Sequence, residues 1–290
     1  MKFIGGGMNV AIQEAEKLLK TITIPVQPQI VIDLQLEMAS TEPCFSQIST
    51  AVAKDVALAA KIIKLINSPF YGISRPVTSI SQALSLLGLN NFNNIVLASV
   101  MQEVLKVEGG LNERFWEHTL LMARLCEMIA FRTRMVSTDL AYMVGLFHDC
   151  AVPLMLNRFP DYDDIAFPGL GGGHNVIALE DERYSTNHAV VGSMVAKNWK
   201  LPGAVTLAIR HHHEPSLDHI ADDSARILTA TLMLSDFISM LADTSVALDS
   251  ESDKIGRWAE HNRHILIELG LNREDIYDFR EDAADLLIHK

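Results

Sequence analysis

Apolar residues in this 290-residue chain recur at three- and four-residue steps almost from end to end, and sustained apolar–polar alternation is nearly absent. A period near 3.6 places such residues on one face of an α-helix, whereas a half-buried strand needs a period of two. The chain is therefore expected to be all-α. The segment TSISQALSLLGLN, from Thr78, carries a complete short helix: Ser79 is the N-cap, Gln82 closes a capping box, and Ala83, Leu84 and Leu87 share a face. Gly88 is the expected αL stop. The helix upstream should end near Asn67, because Pro69 disfavours helical geometry at Ser68 and Gly72 permits a turn.

Two glycine-bearing stretches break this rhythm, one at Gly109-Gly110 and one after Phe167 (FPGLGGGHNVIALEDE). The expected organisation is an N-terminal helical subdomain (1–110), a helical core (111–245) and an acidic C-terminal helical extension (246–290) with 11 acidic and 6 basic residues. At 49% apolar and 21% charged residues the composition is globular. No uninterrupted apolar run approaches the roughly 18 residues of a membrane helix, and the start MKFIGGGMNV is too rich in glycine for a secretory segment. The expectation is a cytoplasmic protein with no membrane partner. A net charge of −12 repels phosphates and argues against a nucleic-acid partner. Cys44, Cys126 and Cys150 form no CxxC pair, which fits a reducing compartment and excludes a cysteine zinc cage.

The informative residues are polar ones on apolar faces. His118 shares a helical face with Leu121, Met122, Leu125 and Ile129, and His148 follows Leu140 and Val144 at four-residue steps. His188 lines up with Val191, Gly192, Val195 and Trp199, and His212 and His213 follow Ala208 and Ile209, with His211 turned away. Asp236 continues the face of Leu228 and Leu232, and Asp149 adjoins His148. Singly, each would read as a hydrogen-bonded core residue. Together they demand compensation, since an unpaired buried polar group costs on the order of 1–3 kcal/mol. A divalent metal satisfies imidazoles and carboxylates at once, and so does a metal-free hydrogen-bond network. His174, His219, His261, His264 and His289 sit in polar contexts and read as surface. Lys61 and Lys64 read as a solvated face, and GLGGGH lacks the lysine and the preceding strand of a phosphate loop.

The series His118, His148-Asp149, His188, His212-His213, Asp236 resembles the H…HD…H…HH…D pattern of the HD superfamily of metal-dependent phosphohydrolases. The most similar branch is the HDOD family, the HD-related output domain of bacterial signalling, over roughly Ile24 to Met240. DVALAAKIIKLINSPFYGISRPVTSISQALSLLGLNNFNNIVL is similar to its N-terminal signature, and NHAVVGSMVAKNWKLPGAVTLAIRHHHEP to its second. The resemblance implies an HD-like helical core carrying an N-terminal helical subdomain. It also implies one or two divalent metals (Fe, Mn, Zn or Ni) on His118, His148, Asp149, His188, His212, His213 and Asp236. The implied partners are signalling proteins or a small phosphorylated ligand.

Two departures bear on chemistry. Active HD enzymes commonly continue as HD-x-G-K with a phosphate-holding lysine, whereas this chain reads His148-Asp149-Cys150-Ala151-Val152. The GYP extension of cyclic-di-GMP phosphodiesterases is replaced by Pro215-Ser216-Leu217. Phosphoryl transfer depends on preorganised positive charge, so both losses argue against turnover. The leading expectation is a regulatory HDOD protein that binds a protein or small ligand. The rival is an active phosphohydrolase, with Asp149 bridging one metal on His118, His148 and Asp236 to another on His188, His212 and His213. A third reading keeps the cluster as a core without turnover.

Overall fold

The computed structural model describes residues 26–68, 73, 75–106, 111–165, 176–243 and 248–288, and among them it is all helix with no strand. Backbone contacts divide the chain into two compact units, the smaller spanning Pro25–Lys106 and the larger Val107–Ala284. The Gly109-Gly110 break and the glycine-rich loop after Phe167 lie outside the described residues, as do Pro69, Gly72, His174 and His289.

In the smaller unit, α1 (Gln29–Met38), α2 (Phe45–Ala53) and α3 (Val56–Ile66) all pack on α4 (Ile80–Val104). Half of the expected capping box forms: Ser79 Oγ accepts from the Gln82 amide at 3.1 Å, while the Gln82 side chain reaches past the N-cap and accepts from the Thr78 amide at 3.0 Å. At Gly88 φ is 73° and ψ 171°, so the stop is a positive-φ kink rather than an αL cap, and the helix resumes at once. Beyond the kink, Phe92 to Met101 are buried without a break. Helix α3 ends at Ile66, and the Asn67 side chain then pairs with both backbone groups of Val77 at 2.8 Å, closing the loop between α3 and α4. That bond pair gives the Asn-Ser signature its structural purpose.

The larger unit is built on α5 (Leu111–Thr133), α6 (Thr138–Phe147) and α11 (Asp223–Asp243). Helices α5 and α6 approach closely at Gly145, where an added Cβ would stand 2.6 Å from the Met122 carbonyl oxygen and 2.7 Å from the Ala123 Cα. After α6 the chain makes a tight turn into the short α7 (Val152–Arg158). Helices α8 (Val176–Tyr184), α9 (His188–Asn198) and α10 (Gly203–His211) follow, with α9 packed on α10 and α10 on α11. The C-terminal helices α12 (Leu248–His261), α13 (Arg263–Glu268) and α14 (Arg273–Ile288) belong to this same unit through Ala284. Phe237 of α11 stacks on Trp258 of α12 at 4.6 Å, Arg226 holds Glu268 at 2.8 Å, and Arg132 meets Asp278 and Asp282 at 3.2 and 3.0 Å.

Two expectations need correction. The stretches Ile80–Val104, Thr138–Arg158 and Asp223–Ala242 are long and apolar enough, by length and composition alone, to cross a membrane. A search for uninterrupted apolar runs misses them because each is punctuated by polar residues such as Asn93, His148 and Thr229. Between 61% and 78% of each apolar window is buried, so most of that surface is spent on the core. His264 is not a surface residue either: it is half-buried, and its Nε2 is shielded from solvent.

Candidate metal centre

Three helix ends and one mid-helix position deliver the cluster. His148 is the C-cap of α6 and Asp149 follows it in the turn, so both leave the helix where its axis meets the core. His188 opens α9 directly after its N-cap Asn187, whose side chain accepts from the Val190 amide at 2.9 Å. His212 and His213 close α10, and His118 comes from the middle of α5. His148, Asp149, His188 and His212 are all under 9% exposed, whereas His118 and His213 are partly exposed.

The ring nitrogens are fixed by what lies behind them. His148 Nδ1 is 2.7 Å from the Gly145 carbonyl oxygen, and His212 Nδ1 is 2.6 Å from that of Ile209. A carbonyl can only accept, so both Nδ1 atoms donate, and in its neutral form each ring turns an Nε2 lone pair to the front. Burial would lower His148, but the Asp149 charge and hydrogen bond raise it above the usual imidazole range. His188 Nδ1 lies 2.8 and 2.9 Å from the two carboxylate oxygens of Glu180, which is fully buried, and so it donates as well. Glu180 also accepts from the His188 backbone amide at 2.9 Å and from the Tyr162 hydroxyl at 2.5 Å. A carboxylate behind a histidine is the usual device for orienting a metal ligand and raising its basicity.

In front, the acceptors converge. His188 Nε2 lies 3.4 Å from His212 Nε2, 3.1 Å from His213 Nε2 and 3.4 Å from Asp149 Oδ1. The other Asp149 oxygen is 3.1 Å from His148 Nε2, and ligand atoms of His118, His148 and Asp149 form a second group within 4.8 Å. Two nitrogens bonded at about 2.1 Å to one ion stand roughly 3.0–3.4 Å apart, which is the spacing seen here. Asp149 turns one oxygen toward each group. Asp236 is electrostatically coupled to His148 and Asp149 but falls outside both ligand-distance groups among the described residues. Burial pushes its carboxyl up to about 6; the His148 charge opposes this and the Asp149 charge adds to it.

Protons answer part of the demand. Burial would lower His188, but the Glu180 charge and hydrogen bond, with Asp149, hold it up to about 9. Burial also opposes the ionised Asp149, yet the imidazoles around it, His148 foremost, keep it well below the usual carboxylate range. His212 and His213 are both lowered, by burial first; His213 is driven well down, with the His212 and His188 charges adding to the effect. A proton on His188 can serve only one of the lone pairs that face it, and a multivalent cation fits the rest.

Of the residues that the sequence singles out, the structure brings His118, His148, Asp149, His188, His212 and His213 together. Sequence reasoning misses Glu180 and Tyr162 behind His188. A signal for Glu180 does exist: Val176 lies four residues before it, and both are buried on one face of α8. Val152, in the place of the expected lysine, is 4% exposed and packs in the core.

Comparison with known proteins identifies the family and the fold. The HDOD domain model matches residues 24–215. An uncharacterized protein of Treponema pallidum is 24% identical over 225 residues, covering 74% of this chain and 43% of that protein. The cyclic di-GMP phosphodiesterase CdgJ of Vibrio cholerae is 25% identical over 149 residues, 48% of this chain and 34% of that protein. The chain thus spans less than half the length of these relatives. An HDOD domain protein of unknown function from Geobacter sulfurreducens shares the fold with a TM-score of 0.69 at 21% identity, covering 96% of this chain and 99% of that one. With the family model extending from α1 through the His212-His213 pair, the chain belongs to the HDOD domain family.

Proposed function

We propose that the chain is a metal-holding regulatory HDOD module, in which His148, Asp149, His188, His212 and His213, with His118 at the rim, retain one or two divalent ions of the Fe, Mn, Zn or Ni class. The supporting observation is the acceptor-rich front of the cluster, with Nδ1 of three imidazoles tied behind it. The bound ion would supply Lewis acidity and a polarised water. The chain's own residues supply the rest: Glu180 orients His188, the Gly145 and Ile209 carbonyls orient His148 and His212, and buried Val152 offers no charge. The output is recognition of a signalling protein or small phosphorylated ligand in the cytoplasm, rather than turnover.

A phosphohydrolase reading competes because the ligand series is complete and one relative, CdgJ, is a cyclic di-GMP phosphodiesterase. Every ion pair of Asp149 among the described residues is to a histidine, and buried Val152 stands in the sequence position of the phosphate-holding lysine. Loss of one such clamp costs orders of magnitude in rate. The test is metal content per chain, followed by a screen of nucleotides and cyclic dinucleotides with His148→Ala as control. Stoichiometric metal without turnover is the expected result. Hydrolysis abolished by His148→Ala would replace this reading with the hydrolase, and a chain that takes up no metal would remove both.

A further inference from the structure

The histidine run at the end of α10 faces two ways. His212 and His213 point into the central cluster, while His211 Nδ1 instead meets Glu214 Oε1 at 2.7 Å. From the following turn, His219 Nε2 meets the other Glu214 oxygen at 2.5 Å and stands 3.2 Å from His211 Nδ1. We propose that His211, Glu214 and His219 form a second metal site, separate from the central cluster, that takes a zinc-class ion with solvent in the open position.

Three observations carry it. First, the two ring nitrogens approach to 3.2 Å, within the roughly 3.0–3.4 Å expected of two nitrogens sharing one ion, and a carboxylate completes the donor set of two histidines and one glutamate found in open zinc sites. Second, the turn that brings His219 back is anchored: Leu217 and Ile220 are each 4% exposed, the Ile220 amide donates to the Leu217 carbonyl at 3.0 Å, and the Glu214 amide to that of His211 at 2.9 Å. His219 is therefore presented by a fixed loop. Third, exposure is graded, with the side chain of His211 at 11%, Glu214 at 35% and His219 at 39%. The site has a rigid inner ligand and an outer side open to water, which leaves a coordination position for solvent. One donor atom from each of the three residues lies within 4.8 Å of the others.

The site shares no ligand with the central cluster, so the two are separable by experiment. Equilibrium dialysis of the full chain against graded Zn2+ should give one equivalent fewer in His219→Ala and in Glu214→Gln than in wild type. His188→Ala, which damages the central cluster, should keep that equivalent. With Co2+ as probe, the visible absorption belonging to this site should disappear in His219→Ala and persist in His188→Ala. His219 is on the surface, so folding of its variant is checked directly by circular dichroism. Unchanged Zn2+ stoichiometry and affinity in both His219→Ala and Glu214→Gln would overturn the proposal, whatever the central cluster does. Should His188→Ala fail to fold, the wild-type and His219→Ala comparison decides alone.

Discussion

The central cluster and the C-terminal helices both concentrate charge, and they use it in opposite ways. Arg132 meets Asp278 and Asp282 where all three side chains are at least a third exposed, and its guanidinium lies 4.4 Å from the Phe279 ring centroid. Water screens such pairs, and each is worth no more than about 1 kcal/mol. In the cluster, His148, Asp149, His188 and Glu180 are all below 9% exposed, so each charge has been desolvated and needs a partner at close range. Like residue types are therefore expendable at one place and decisive at the other, and burial sets which.

The sharpest way to break this contrast is Glu180→Ala, which leaves the buried His188 imidazole without its rear acceptor. It should cost about 3–5 kcal/mol of folding stability, read from the denaturation midpoint of the metal-free chain; an unchanged midpoint would mean the cluster is not desolvated as described. Removing bound metal with a chelator comes next. A ligand present at about 100 times its Kd adds about 2.7 kcal/mol, so the loaded protein should melt higher than the stripped one. Gly145→Ala tests the close approach of α5 and α6. Its Cβ would meet backbone at 2.6 Å, and the forced separation should cost about 1–3 kcal/mol while weakening metal retention through the displaced His148. Glu180→Gln, which keeps shape but not charge, should lower metal affinity by about 10- to 100-fold, measured by competition with a chromophoric chelator. Arg132→Ala should be the mildest, at about 1 kcal/mol or less, with metal content unchanged. Metal loss in that variant would show that the two regions are not independent.

The helical fold was legible because the 3.6 period runs through nearly every element, down to the Ser79 cap and the helix end at Ile66. The front of the site was legible for the same reason: a histidine at an apolar position is conspicuous. Its rear was not. Glu180 stands in the acidic stretch Glu180-Asp181-Glu182, where three carboxylates look alike in sequence and only the one a helical turn beyond Val176 is buried. The Gly145 and Ile209 carbonyls carry no sequence mark, since every residue has one. The ion pairs of Arg132 link residues 146 and 150 positions apart, and no local pattern announces such a partner. Asp236 has the right periodicity and is electrostatically coupled to His148 and Asp149, but it stands outside the two ligand-distance groups among the described residues.

The backbone carbonyls behind His148 and His212 have one more consequence, and it concerns inheritance. Because folding, and not the ion, sets which nitrogen faces forward, the scaffold stands complete before any metal arrives. A descendant that lost one ligand would relieve crowding among the remaining lone pairs and keep its shape. Such a frame holds its shape through a change at the centre, and Val152, buried three residues after the His148-Asp149 pair, packs without adding a charge to it.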